Sequence, residues 1–295
     1  MLSLHTNAAT LSAQNSITRT QTSLSTSMTR LSTGYRINSA MDDAAGLQIA
    51  TRLKAQSSGM AVAMRNTQNS ISMMQTAEGA LDEVTNILSR MKDLATQAAD
   101  ASSSDDDRTA MQSEYTSLTD ELSNIVKNTG FGGTTLLNKG TTKGKFDDAV
   151  TFQIGAGKDE KMELDVHGDL DTMHTDIRTA AGKFDGGDAP GDTATAGAEL
   201  SAANANTTID NLKTAIESVS KVRSSLGAAA NRLDHVYNNL SNVSSNTAAA
   251  TGRIMDVDFA TESSNMTSKQ MLLQAGTAML KQTNSMSSMV MSLLQ

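Results

Sequence analysis

Several residue types are scarce in this sequence, and each scarcity excludes a class of protein. There is no cysteine, which rules out disulfide bonds and thiolate metal ligands. There is no tryptophan, and aromatic residues make up only 3% of the chain, although such side chains usually dominate compact cores. Pro190 is the single proline. Because proline interrupts helices, its scarcity favours a rod of long helices without a thick globular core.

Methionine is unusually frequent, with 18 copies. Its flexible thioether adapts to irregular gaps between packed elements. We therefore expect methionine and alanine to fill the core in place of aromatic rings.

Charge and hydropathy exclude several partners. The net charge is -8, whereas nucleic acid requires a basic face and anionic membranes attract basic segments. The longest apolar run, at 60–64, is far shorter than the ~18 residues of a membrane span. The first basic residue is Arg19 and no apolar stretch follows Met1, so we expect no Sec-type signal peptide. We predict no nucleic acid partner and no membrane insertion. If the chain is exported, we expect a route that does not cleave a Sec-type signal.

Three segments repeat apolar residues in alternating steps of three and four, which is the coiled-coil pattern. They lie at 74–98, 111–125 and 212–250. The first consists of Met74, Ala77, Leu81, Val84, Leu88, Met91, Ala95 and Ala98. The second consists of Met111, Tyr115, Leu118, Leu122 and Ile125. The third consists of Leu212, Ala215, Val219, Val222, Leu226, Ala229, Leu233, Val236, Leu240, Val243, Thr247 and Ala250. Since an apolar seam needs a partner, we predict a mainly α, long antiparallel helical bundle.

The segment 140–195 differs from the rest. Glycine, aspartate, threonine and lysine dominate it. Alternating apolar residues at 150–154 and 162–166 predict short strands. We expect a small, exposed, β-rich central module.

Both ends of the chain are amphipathic but almost uncharged. Residues 1–35 contain only Arg19 and Arg30 as charged residues, and 263–295 contain only Lys269 and Lys281. Polar faces without charge can be buried against neighbours without stranding an ion. Such ends can also be disordered tails, but the apolar periodicity favours helices that are buried in an assembly. The predicted packing residues are Leu4, Leu11, Ile17, Leu24, Met28, Leu31, Leu272, Leu273, Met279, Leu280, Met286, Leu293 and Leu294.

No pattern indicates catalysis. His167 and His174 lie in the acidic central segment, but no HExxH motif accompanies them. The GxG at 155–157 is too short a signal for a nucleotide site. We predict no catalytic residue, no metal site and no cofactor, and hence no enzyme.

Motifs that carry a family resemblance lie near both ends of the chain. Residues 31–40 read LSTGYRINSA, which resembles the LSSGLRINSA of bacterial flagellins, in particular short forms such as lateral flagellins. DDAAG at 42–46 and EGAL at 78–81 match family motifs. Near the other end, GRIMDVDFA at 252–260 is similar to ARIEDADYA. Together and in this order, these motifs are specific.

The resemblance implies three domains. Residues 1–42 and 253–295 would pair as a coiled coil that lines the inner core of a filament. Residues 43–139 and 196–252 would form a helical bundle around that core, and 140–195 would project outward.

The resemblance also implies function and partners. The chain would be a structural subunit that polymerises into an extracellular flagellar filament for motility, after flagellar type III export. Partners would be other copies of the chain, the filament cap and junction proteins, and an export chaperone at the C-terminal segment. The ends would order as they assemble, with Gly34 and Asn38 at the bend between inner and outer regions.

Many flagellins are recognised by a vertebrate Toll-like receptor, and the matching positions are Arg90, Leu94 and Glu114. Lys92 and Asp93 depart from the arginine and glutamate usual in the family, and lysine lacks arginine's planar fork. From the residues alone, Arg90 also reads as an exposed charge that flanks a heptad.

Two other functions stay open at this point. A hook–filament junction protein would have similar termini but be present in few copies. A signalling coiled coil would share the heptads, but it would carry more charge and a membrane span.

Overall fold

The structure, a computed structural model, describes residues 8–139, 143–187 and 196–293, with side chains up to residue 285. Long helices dominate this part of the chain, which confirms the mainly α prediction. The helices are α1 (Ala8–Thr33), α2 (Ala44–Ala98), α3 (Asp105–Asn128), α4 (His167–Ala180), α5 (Ala205–Met255) and α6 (Phe259–Leu293). None of these helices, over the described residues, combines the length and apolar character needed to cross a bilayer.

The chain divides into two compact units. Unit 1 contains residues 1–57 and 245–295, and unit 2 contains 58–244. The helices α2 and α5 each contribute residues to both units. The three-domain bounds predicted from the sequence stay a prediction.

The predicted seams supply just under half of the buried residues in the main core of unit 2. Every member of the 74–98 seam is buried in α2, which confirms that prediction. In α3, Leu118 and Ile125 are only half-buried, and Thr119 and Val126 occupy buried positions instead. The reason is that a straight helix drifts relative to a strict seven-residue repeat.

Every member of the third seam is buried as far as Leu233, and Leu240 and Thr247 farther along are buried too. Val236 and Ala250 are half-buried, and Val243 is 37% exposed. At this end of unit 2, α5 contributes to a small cluster around Leu240 in place of the main core. One of the two seven-residue series is therefore buried throughout, whereas the other is only partly covered beyond Ala229.

The central segment contains the predicted strands, one turn of 3-10 helix and one α-helix that was not predicted. Strands β3 (Val150–Gln153) and β4 (Lys161–Leu164) pair antiparallel, and two-residue strands β1 (Gly130–Phe131) and β2 (Thr134–Thr135) form a second hairpin. A one-turn 3-10 helix spans Lys145–Asp147. The unpredicted element is α4, whose buried Leu170, Met173 and Ile177 have the spacing of a short amphipathic helix.

The outer position of this segment stays a prediction, but its large apolar side chains are not exposed. Its large side chains are buried in the same cluster as the seams of α2, α3 and α5; they include Phe146, Phe152, Leu170, Met173, Ile177 and Phe184. The hydroxyl of Tyr115 on α3 donates to the carbonyl of Ala180 at 2.8 Å. Burial, and secondly the charge of Glu199, raise the pKa of the Tyr115 phenol well above its ordinary value. The phenol therefore remains a donor that joins α3 to α4.

Candidate self-association surface

In unit 1, α1 and α6 form an antiparallel pair. Gly276 lies opposite Ile17, and Lys269 lies opposite Ser27. The covered positions of both helices follow steps of four and three, as in a coiled coil. On α1 they are Ala13, Ile17, Thr20, Leu24, Ser27 and Leu31. On α6 they are Glu262, Met266, Lys269, Leu273, Gly276, Leu280 and Thr283.

Two polar layers interrupt the apolar positions of this pair. The Lys269 ammonium donates to the Ser27 hydroxyl at 3.0 Å. The Arg30 guanidinium lies 3.9 Å from the Glu262 carboxylate and 3.8 Å from that of Asp42. A polar group in a coiled-coil seam specifies register, because a shifted pairing would leave it without its partner.

The link between α1 and α2 is held against the link between α5 and α6. Gly34 has a φ of 76°, which glycine adopts without steric cost. Its carbonyl accepts from the Val257 N–H at 3.0 Å, and the Arg36 N–H donates to Met255 at 2.6 Å. The Asn38 amide donates to the Tyr35 carbonyl at 2.8 Å. Gly34 and Asn38 thus lie in an ordered turn.

Two aspartates cap these links. Asp42 accepts from the backbone N–H of Ser39 at 2.9 Å and of Asn38 at 3.1 Å. These bonds hold the pKa of Asp42 below its ordinary value. At the start of α6, Asp258 accepts from the Thr261 hydroxyl at 2.7 Å. That bond, with the backbone N–H groups of Thr261 and Ala260, lowers the pKa of Asp258.

The predicted packing residues fall into two groups. The first lies in the seam between α1 and α6 and comprises Ile17, Leu24, Leu31, Leu273 and Leu280. The second points away from the seam and comprises Leu11, Met28, Leu272 and Met279. Leu4 and Leu294 lie outside the described residues, as do the side chains of Met286 and Leu293.

The second group belongs to a larger set of exposed apolar side chains on α1 and α6. Phe259 is 57% and Met271 is 58% exposed on α6, and sequence periodicity missed both. The run Met271–Leu272–Leu273 does indicate that apolar residues lie outside the seam, because three successive residues cannot all face one partner helix. We call the exposed set the outward apolar surface; it consists of Leu11, Met28, Phe259, Met271, Leu272 and Met279.

The three predicted receptor positions lie in unit 2. The Arg90 Nε and Nη2 donate to one Glu114 carboxylate oxygen at 3.1 and 2.8 Å. Both side chains are exposed. Leu94 is only 2% exposed and belongs to the core. The structure therefore brings Arg90 and Glu114 together at the surface and turns Leu94 inward.

The two histidines of the central segment differ in how deeply they are buried. His174 is buried with Nε2 2.9 Å from the Leu137 carbonyl, and its ring lies against Phe184. The half-exposed His167 has Nδ1 3.5 Å from the Asp147 carboxylate. Within the described ranges, no three residues of the types His, Cys, Asp or Glu are grouped closely enough to hold a metal ion.

Comparison with known proteins places this chain in a family. The profile of the bacterial flagellin N-terminal helical region matches residues 4–142, and that of the C-terminal helical region matches 209–294. Polar flagellin F of Vibrio parahaemolyticus is 50% identical over 175 residues, which cover 59% of this chain and 44% of that protein. Flagellin C of Vibrio cholerae is 50% identical over 165 residues, covering 56% and 42%. The chain thus aligns with less than half the length of these relatives.

Two solved structures are similar to this chain. Bacillus cereus flagellin has a TM-score of 0.46 and 30% identity, with 63% of this chain and 94% of that chain covered. A flagellar hook-associated protein from Vibrio parahaemolyticus has a TM-score of 0.53 and 18% identity, with 73% and 100% covered, and this similarity shows the fold alone. The family profiles confirm the resemblance carried by the terminal motifs. The chain belongs to the bacterial flagellin family.

Proposed function

We propose that this chain is a structural subunit that polymerises with copies of itself into an extracellular flagellar filament for motility. The outward apolar surface carries the proposal. Leu11, Leu272 and Met279 are each more than half exposed, although fully burying such a side chain is worth about 1.5–3 kcal/mol. A second copy that covers this surface gains that free energy.

The polar faces of the same helices support burial in an assembly. Threonine hydroxyls along α1 donate to backbone carbonyls four residues earlier, at 2.9 to 3.1 Å. The donors are Thr18, Thr20, Thr22, Thr26, Thr29 and Thr33. Burying a polar group is costly mainly when it lacks a hydrogen bond. Because these donors are already satisfied within the helix, neighbouring subunits can cover them without supplying acceptors.

Polymer growth follows from the geometry of such contacts. A contact is heterologous when a surface binds a different patch on the next copy. When successive heterologous contacts do not close into a ring, the subunits form a helical filament. Flagellins are structural proteins and not enzymes, and neither family profile favours a hook–filament junction protein or a signalling coiled coil.

The finer partners are proposed from family membership. They are the filament cap and junction proteins, and an export chaperone that binds the C-terminal segment, with export through the flagellar type III apparatus. A vertebrate Toll-like receptor is proposed to recognise the region of Arg90, Leu94 and Glu114. The exposed Arg90–Glu114 pair supports this role because a partner can reach both charges.

The test removes apolarity from the outward surface while keeping side-chain size. Leu272→Gln combined with Met279→Gln should raise the critical concentration for polymerisation by about tenfold or more, since each lost burial of ~1.4 kcal/mol is tenfold. The matched control is the swap Leu272→Met with Met279→Leu, which preserves apolar character and should assemble normally. Sedimentation and electron microscopy of filaments report the result. Normal filament growth by the glutamine variant would count against the proposal.

A further inference from the structure

Methionine is divided unequally between the two units. In unit 2, most described methionines are at most 8% exposed and lie in the core: Met60, Met73, Met74, Met91, Met111, Met162 and Met173. In unit 1, four are exposed: Met28 (48%), Met41 (97%), Met271 (58%) and Met279 (66%). Over the residues whose side chains are described, every exposed methionine belongs to unit 1.

This partition makes oxidation selective. Methionine is converted to the sulfoxide by peroxides, and burial protects the sulfur from the oxidant. The thioether lone pair attacks one peroxide oxygen, the O–O bond breaks, and an S–O bond forms as water leaves. Sulfur is oxidised by two electrons and the peroxide is reduced. Peroxide should therefore modify unit 1 while the core of unit 2 is spared.

We propose that Met28, Met271 and Met279 are oxidation sites that control self-association. The inference rests on the proposed function, because these thioethers make up half of the outward apolar surface. Oxidation turns an apolar side chain into a polar one. A subunit that carries sulfoxides would have to bury them in the polymer contact.

Around Met279, the nearby hydroxyls are already used as donors within α6. Next to Met279, the Thr283 hydroxyl already donates to the Met279 carbonyl at 2.8 Å. The Thr277 and Ser285 hydroxyls donate to backbone carbonyls of α6 at 2.8 and 2.9 Å. A polar group buried without a partner costs its full desolvation penalty. The intrahelical bonds that let the native polar face be buried thus keep these hydroxyls from donating to a sulfoxide at Met279.

The experiment uses the purified full-length chain in its monomeric form. Hydrogen peroxide is added, sulfoxides are mapped by peptide mass spectrometry, and polymerisation is followed by sedimentation. We expect Met28, Met271 and Met279 to oxidise well before the core methionines, and the critical concentration to rise by roughly tenfold for each sulfoxide that is buried without a donor. Treatment with methionine sulfoxide reductases for both epimers and a thiol reductant should restore assembly.

Two leucine variants locate the effect. Replacing Met28, Met271 and Met279 together by leucine should preserve assembly and make it resistant to peroxide. The control Met41→Leu removes the most exposed of the described thioethers, which lies in the loop between α1 and α2, and should leave the sensitivity unchanged. Methionines 286, 289 and 291 stay in place in every variant.

The outcomes separate the two proposals. Oxidised wild-type protein that polymerises like untreated protein overturns the switch alone, as does a triple-leucine variant that still loses assembly on oxidation. Untreated wild-type protein that fails to polymerise overturns the proposed function and the switch with it.

Discussion

Gly276 on α6 lies against Ile17 on α1 so closely that a Cβ atom at position 276 would be 2.9 Å from Ile17 Cγ1. This is shorter than ordinary van der Waals contact between carbon atoms. Gly276 occupies a seam position, so the missing side chain lets the two helices approach each other. Glycine in a helix interior costs about 0.5–1 kcal/mol relative to alanine. We attribute its presence here to this close approach.

The first prediction concerns that contact. Gly276→Val should push α6 away from α1 and weaken the pair, because a branched side chain fills space that Ile17 occupies. The matched control is Gly79→Val, since nothing lies within 4 Å of a Cβ placed at Gly79 and the change in helix propensity is the same. Hydrogen exchange of α1 and α6 is the measurement. Equal protection of α6 in wild-type protein and Gly276→Val would contradict the prediction.

The second prediction concerns Glu199, a carboxylate that is only 3% exposed in unit 2. It accepts from the Gln112 amide at 2.7 Å, the Gly197 N–H at 2.9 Å and the Gly182 N–H at 3.2 Å. Glu199→Ala should destabilise unit 2, because each buried donor left without a partner costs about 1–3 kcal/mol. Thermal unfolding followed by circular dichroism measures the loss.

Glu217→Ala is the control for that experiment. Glu217 is exposed on α5, so its removal should change stability by no more than about 0.5 kcal/mol. If Glu199→Ala unfolds at the same temperature as Glu217→Ala, the three hydrogen bonds do not stabilise unit 2.

The third prediction is a pH dependence in unit 1. The pKa of Asp258 lies below its ordinary value of 3.8, first because of the Thr261 hydroxyl. A folded-state pKa that is lowered gives stability that is present above the unfolded pKa and is lost as pH falls through the folded pKa. Acidification below about pH 3.8 should therefore loosen the start of α6. Asp42, whose pKa is lowered by the N–H groups of Ser39 and Asn38, should act in the same direction.

Asp258→Asn isolates this contribution. Asparagine also caps helix N-termini but does not titrate, so the variant should match wild-type protein near pH 7 and lose less protection in acid. Hydrogen exchange of the first turn of α6 between pH 7 and pH 3 is the measurement. Identical pH slopes for both proteins would show that Asp258 does not contribute.

The fourth prediction is that Arg90 contributes to receptor contact, whereas Leu94 contributes to folding stability. The Arg90–Glu114 pair is exposed, and such pairs contribute about 1 kcal/mol or less. Arg90→Ala should therefore keep the melting temperature nearly unchanged while it lowers the receptor response. Leu94→Ala should cost about 2–5 kcal/mol, because it leaves a cavity in the core.

Receptor-reporter cells and thermal unfolding are measured on the same preparations. A full receptor response from Arg90→Ala at unchanged stability would remove Arg90 from the proposed contact. If Leu94→Ala melts like wild-type protein, its assignment to the core is wrong.

The spacing of apolar residues predicted the long helices well, because residues on one face of a helix recur in the sequence at the period of the helix itself. The 74–98 seam is buried as predicted, since α2 packs in unit 2 along that whole stretch. The helix α4 was missed because its apolar residues are few and its surroundings are rich in glycine and aspartate. The outward positions of Met271 and Phe259 depend on the azimuth at which α6 meets α1, and a repeat pattern alone does not fix that azimuth.

The sequence by itself determined the helical architecture, the family and the charge-poor amphipathic ends, because each of these is local or carried by motifs. Tertiary structure decided which apolar residues of those ends face the partner helix, such as Leu24, and which stay exposed, such as Leu272. It also decided that Leu94 is buried while Arg90 meets Glu114 at the surface. These choices depend on contacts between residues far apart in the chain, and packing selects among faces that the repeat leaves equivalent.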